Sequence, residues 1–151
     1  VSASKTKVSL EKRGYKPNQL RETASWLEEN SHKGDLVFNP YWPRTSQLFF
    51  WNQKNYYLNG LDPIFAYTYS PNLYWKTHYF IEDLVNEKIC GAPACTQSML
   101  EDTYEVLKNE FGARYVFLEK QRSPETIAFF LKDGRYQKKF ETEGEIIFEI
   151  K

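Results

Sequence analysis

Cysteine, histidine and methionine are scarce in this chain, and each scarcity removes a class of chemistry. Only Cys90, Cys95, His32 and His78 offer thiolate or imidazole ligands. The cysteines have no second pair after them and the histidines fall on separate elements, so a four-ligand zinc centre is not built by spacing. A Cys–His nucleophile lacks any spacing that brings its partners together. No glycine-rich phosphate loop, G-x-S-x-G elbow or H-E-x-x-H helix occurs. We therefore assign no catalytic residue, no metal and no cofactor. Charge of one sign is missing too: twenty Lys and Arg balance twenty Asp and Glu, which removes the electrostatic footprint of a nucleic-acid binder. No apolar run reaches the length of a membrane helix, and no signal-peptide pattern is present.

What the chain has instead is aromatic side chains, concentrated in one stretch. Residues 39–80 hold fourteen of them, interrupted by Asn39, Arg44, Asn52, Asp62 and four prolines. So many breaks force the segment to fold back on itself. Phe, Tyr and Trp carry large apolar areas, and buried Tyr and Trp also need a hydrogen-bond partner. The stretch is either an aromatic core layer or the wall of a binding site.

At 151 residues the chain is the size of one domain, with enough apolar surface for a single core. It begins at Val1 and Met99 is its only methionine, so it reads as a piece of a longer protein. Residues 1–16 are polar and basic without periodicity, as a linker or membrane tether would be, and residues 17–151 form the expected single soluble domain. Cys90 and Cys95 flank Gly91 and Pro93. A small disulfide loop, two unrelated buried thiols and half a metal site all fit that spacing, and the disulfide is the favoured reading. Such a loop would add about 2 kcal/mol and place the domain in an oxidising compartment.

Periodicity and punctuation predict the elements. A helix is expected over 17–30, with Leu20, Ala24 and Leu27 on one face, followed by a strand over 35–38. Pro43 opens a short helix through Phe49, and 56–59 reads as a second strand. Asp62-Pro63 and Ser70-Pro71 are matched helix starts, the second carrying the stripe Leu73, Thr77, Phe80 and Leu84. Glu82 and Asp83 read as a solvated face. Ser98 and Glu101 have capping-box spacing ahead of a helix that Gly112 ends. A strand over 114–118, a helix from Ser123-Pro124 and a terminal hairpin with one buried face complete the order. The fold class is α/β: a layered sandwich with a mostly parallel central sheet and an antiparallel C-terminal hairpin.

Ligand residues are expected where such sheets bind, beyond the carboxyl ends of their strands. Asn39 stands there, followed by Trp42 and Arg44. A satisfied loop amide and a core indole are the plainer roles for the first two. As binding residues, with Asn52 and Asp62, they would suit a sugar through flat rings and polar rims, or an anion through Arg44. The same rings would equally serve a protein partner or a membrane interface.

The segments W-L-E-E-N (Trp26 to Asn30), K-G-D-L-V-F-N (Lys33 to Asn39), L-F-F-W-N (Leu48 to Asn52) and Y-Y-L-N-G-L-D-P-I-F (Tyr56 to Phe65) carry a resemblance. With A-R-Y-V-F-L (Ala113 to Leu118) and the closing hairpin, the chain resembles the C-terminal soluble domain of multi-pass bacterial membrane proteins grouped with the dolichyl-phosphate-mannose-type glycosyltransferases. The resemblance covers nearly everything after residue 17. It implies a non-catalytic domain on the extracytoplasmic face of the membrane, partnered by an upstream transmembrane region of the same parent and positioning an acceptor or a lipid-linked sugar. The superfamily's catalytic acids lie between membrane helices, so none carries over. Where acidic residues are expected after the Trp, this chain has Pro43-Arg44. Two alternatives stand beside this reading. One is a free-standing α/β enzyme using Asp62 or Asn39, which would show a pocket containing Asp62. The other is an interaction module without a small ligand, which would show a flat exposed aromatic patch.

Overall fold

Two sets of apolar side chains, alternating along the same strands, require cover on both faces of one sheet, and the chain supplies it. The computed structural model describes residues 18–151. The expected tether at 1–16, and Pro17, lie outside the described residues. Helix α1 (Arg21–Asn30) begins after Leu20, whose φ of 63° is left-handed, and buries Thr23, Ala24 and Leu27. Strand β1 (Leu36–Phe38), helix α2 (Trp42–Trp51) with Pro43 in its first turn, and strand β2 (Tyr56–Tyr57) follow. Next come α3 (Pro63–Tyr69) and α4 (Pro71–Ile81). Asp62 Oδ1 accepts from the Ile64 N–H at 3.0 Å and Ser70 Oγ from that of Leu73 at 3.4 Å, so both helices start where their proline signals stand.

A two-stranded ribbon pairs β3 (Lys88–Ile89) with β4 (Glu101–Asp102). Helix α5 (Thr103–Glu105) runs on as a π turn over Val106–Glu110 and stops at Gly112, where φ is 64°. The Ser98 and Glu101 capping box is therefore corrected. Gln97–Met99 is a 3₁₀ turn, Glu101 is in a strand, and Asp102 caps α5 by accepting from the N–H groups of Tyr104 and Glu105. The residues that match the capping spacing have their backbone drawn into strand pairing instead.

Strand β5 (Tyr115–Glu119), helix α6 (Pro124–Lys132) and the hairpin β6 (Tyr136–Glu141) and β7 (Glu145–Ile150) complete the chain. The five-stranded sheet has the order β2-β1-β5-β7-β6, with β1 parallel to β2 and β5, and β7 antiparallel to both its neighbours. The fold is α/β, with parallel strands on one side and the antiparallel hairpin on the other. Phe38, Val116, Leu118 and Phe148 face α4, α5 and α6 through Phe80, Leu107 and Phe130. Val37, Phe117 and Ile147 face α1 and α2 through Ala24, Leu27 and Leu48. All five residues of β5 are buried. The expectation of a hairpin with one buried face is corrected for β7, where Ile146, Ile147 and Phe148 are all enclosed, because its inner position gives it helices above and below.

The α4 stripe ends before Leu84, which is 59% exposed. The chain turns at Asp83, a left-handed residue with φ of 55°, and its carboxylate crosses to the start of α6. There it accepts from the N–H of Glu125 at 2.9 Å and from the N–H and hydroxyl of Thr126 at 2.8 and 2.7 Å. Asp83, expected on a solvated face, is thus the cap of a distant helix. Removing it leaves donors unpaired. Asp83→Ala is expected to lower unfolding free energy by about 2 kcal/mol and Asp83→Asn by less, since the amide oxygen still accepts. Urea denaturation checks this, and an unchanged midpoint for Asp83→Ala would contradict it.

Candidate functional site

At the carboxyl ends of β1 and β5 the chain departs to opposite faces, through α2 and α6, which opens the crevice where α/β proteins commonly bind ligands. Here the chain's own side chains fill it. Asn39 is fully buried: its amide donates to the Tyr41 carbonyl at 2.9 Å and to Thr45 Oγ1 at 3.0 Å, while Oδ1 accepts from the Tyr41 N–H. Arg44 reaches Glu119 Oε1 through Nη2 at 2.6 Å and Nε at 2.9 Å, and both side chains are nearly enclosed. Arg122 approaches the other Glu119 oxygen at 3.1 Å. The Tyr41 hydroxyl bonds Ser123 Oγ, and burial pushes its phenol up to about 12. Asn39 and Arg44 are therefore together, as the sequence implied, but their polar atoms are directed at the protein itself.

The remaining candidates separate. Trp42, 42% exposed, lines a narrow crevice with Asn59, Leu61 and Tyr74. Asn52 lies before β2, at the opposite end of the strands. Its amide donates to Asn55 Oδ1 at 2.6 Å, and Asn55 donates on to Ser31, tying the ends of α1 and α2 together. Asp62 is exposed and caps α3. Cys90 and Cys95 are joined by a disulfide, with Tyr79 Oη 2.8 Å from the Cys95 sulfur. Gly91 lies so close to α4 that a Cβ there would meet the Asn72 side chain, which seats this loop on the first turn of that helix.

Beside the filled crevice, past the carboxyl end of the edge strand β2, is an open cleft of about 510 Å³. Its floor is the loop Leu58, Asn59, Gly60 and Leu61, its walls are α3 and α4, and Phe111 closes the inner end. Phe65, Tyr69, Leu73 and Tyr74 line it. Asn59 has φ of 61°, a conformation Asn tolerates, and it is pinned there. Its amide donates to the Asn39 carbonyl at 2.8 Å, and its own carbonyl accepts from Thr45 Oγ1 at 3.1 Å. Asn39 thus shapes the cleft through Asn59. Of the residues the sequence singles out for binding, Trp42 is the one that borders this space, across the shared Asn59, Leu61 and Tyr74.

Glu110, at the end of the π turn, is the cleft's carboxylate. Both its oxygens lie 2.7 Å from Lys76 Nζ, which also meets Glu101 Oε2 at 2.7 Å. Lys76 is almost completely buried, whereas Glu110 and Glu101 are 35% and 42% exposed. Two carboxylates lie against this enclosed side chain and replace the water it has lost. Sequence reasoning missed all three. Lys76 sits between Trp75 and Thr77 with nothing to mark it as buried, and Glu110 owes its position to a π turn that no α-helical spacing forecasts.

Two measurements probe the filled crevice. Arg44→Ala leaves Glu119 deprived of its closest cation and is expected to cost about 3–5 kcal/mol in chemical denaturation, whereas Arg44→Met combined with Glu119→Leu restores most of that loss. An Arg44→Ala protein as stable as the parent would contradict the burial of the pair. In alkali, the folded protein keeps phenolic protons that the unfolded chain releases near pH 10, because burial raises Tyr41 to about 12 and moves Tyr57 and Tyr136 in the same direction. That stability is whole below pH 10 and is lost as pH rises toward and through 12. Spectrophotometric titration is expected to show these tyrosines ionising late, together with unfolding, and a single transition for all eleven near pH 10 in a folded protein would contradict it.

Comparison of the chain with protein-family models and with curated proteins finds no match, which leaves the geometry of the cleft to carry the functional reading.

Proposed function

We propose that this chain is an extracytoplasmic, non-catalytic domain of a membrane glycosyltransferase-like protein and that its cleft holds the apolar part of an acceptor or of a sugar-bearing lipid. The observation that carries the binding role is the cleft itself: about 510 Å³ of open space lined by Leu58, Phe65, Tyr69, Leu73 and Tyr74, with Asn59, Ser70, Thr77 and Glu110 as its polar side chains. Sites for small molecules have this size and this pairing of apolar walls with a few fixed polar atoms. The disulfide supports an oxidising compartment. The membrane parent and the glycosyltransferase association rest on the resemblance of the segments from Trp26 to Phe65.

The chemistry of the site supports holding over reacting. Asp62 and Asn39, the residues a free-standing enzyme would use, cap a helix and brace a loop, and neither lines the cleft. Glu110 is paired with Lys76, and the hydroxyl of Ser70, beside it in the lining, caps α4. A second reading has one observation in its favour. Helix α3 buries no residue, and Ile64, Phe65 and Tyr69 are 61%, 61% and 89% exposed, so this face is suited to cover by the rest of the parent. No helix among the described residues is long and apolar enough to cross a membrane.

Octyl glucoside below its micellar concentration joins a sugar to an apolar chain and serves as the probe. It is expected to bind in isothermal titration, and Phe65→Ala, a change at an exposed position, is expected to weaken it about tenfold. Absence of binding, or affinity unaltered by Phe65→Ala, would overturn the reading.

A further inference from the structure

We infer that the cleft selects an organic cation: a single molecule with an apolar body and an alkylammonium group directed toward Glu110. The inference rests on the ligand-holding role of the cleft and adds the sign of the ligand's charge. Three observations carry it. The first is the charge of the walls. Glu110 is the charged residue of the lining, and the Lys76 it pairs with also meets Glu101, so two carboxylates stand against one ammonium there.

The second is the order in which those charges are met. Lys76 is enclosed, with 2% of its side chain exposed, whereas Glu110 lies at the cleft surface with 35%. A ligand entering the cleft therefore meets carboxylate before ammonium. An anionic head would face Glu110 with no cation of the lining free to receive it, since Lys76 Nζ is within 2.7 Å of both Glu110 oxygens and of Glu101. The Arg44 guanidinium is turned to Glu119 in the neighbouring crevice.

The third is the ring content. Phe65, Tyr69, Tyr74 and Phe111 line the same space as Glu110. Aromatic faces attract cations through their quadrupole and are indifferent or repulsive to anions, and alkylammonium groups, weakly hydrated, leave water for such sites at low cost. His78, which is not part of the lining, stacks on Tyr74 with ring centroids 6.0 Å apart and holds that ring in place. Rings, apolar walls and one accessible carboxylate select the same ligand. A cleft of this volume takes one molecule, so the occupant is a monomeric amine and not a bilayer surface.

A matched series tests this: octyltrimethylammonium, octyl glucoside and octyl sulfate, each below its micellar concentration, titrated into residues 1–151. The ammonium is expected to bind about tenfold tighter than the glucoside, with the sulfate weakest. Added salt is expected to weaken the ammonium and leave the glucoside unchanged. Glu110→Gln should bring the ammonium to within about twofold of the glucoside, and Phe65→Ala should weaken all three. Should Glu110→Gln fail to fold, the salt dependence and the head-group order in the parent protein decide the matter without it. Equal affinities, or tightest binding of the sulfate, would overturn the inference while leaving the ligand-holding role intact. Binding of none of the three would overturn both. Sedimentation with phosphatidylcholine vesicles without binding of the monomeric ammonium would replace a ligand cleft by a membrane-docking face.

Discussion

Burial of β1, β5 and β7 on both faces is the constraint from which the rest of this structure follows. Val37 and Phe38, or Ile147 and Phe148, are adjacent in sequence and lie on opposite sides of the sheet, yet all four are sealed from water. Each such side chain contributes about 1.5–3 kcal/mol when removed from solvent, so neither face is left uncovered without a large loss. Helices α1 and α2 serve one face and α4, α5 and α6 the other. The connection from β2 to β5 must then cross a single face, and α3 is the part of that connection for which no sheet remains. Its rings are left at the surface, leaning on α4, and the gap between them and the edge strand is the cleft.

The same constraint explains why the familiar binding position is closed. With β1 and β5 adjacent and their continuations leaving to opposite faces, the crevice beyond them is filled by the chain's own side chains. Arg44 and Glu119 neutralise each other there, and Tyr41 meets Ser123. A buried ion pair of this kind adds little net stability but is costly to break, so it acts as a fixed plug. Its neighbour Asn39 extends that rigidity outward, holding Asn59 in its left-handed conformation and with it the floor of the cleft. The open space lies one strand over, between apolar walls, with Glu110 as its charged feature.

How much of this was legible in the residues depends on whether the signal was local. Proline after a capping residue marks α3 and α4 correctly, because that chemistry is complete within three residues. The layered α/β arrangement follows from helical stripes alternating with short apolar runs. The burial of both faces of β7 was not legible, since Glu149 in alternation with Ile150 looks like a solvated face until Arg114 and Lys139 are found paired with it. Nor was the role of Asp83, whose partners lie on α6, or the enclosure of Lys76, which depends on Glu101 and Glu110 arriving from another element. At the cleft, the aromatic stretch supplies most of the lining, whereas the polar residues singled out within it turn elsewhere. Asn39, Arg44, Asn52 and Asp62 are drawn to internal partners, as polar groups in a crowded aromatic region must be. The rings themselves, and Trp42 beside them, mark the open space.

On this reading the molecule's open, ligand-receiving surface is the cleft beyond β2 and not the crevice between β1 and β5. Amide chemical-shift mapping with octyl glucoside locates the contact residue by residue. Shifts concentrated in residues 58–77 and at Glu110 and Phe111, with Asn39, Glu119 and Ser123 unmoved, are the expected result. Shifts centred on Asn39, Glu119 and Ser123 with the cleft silent would contradict it.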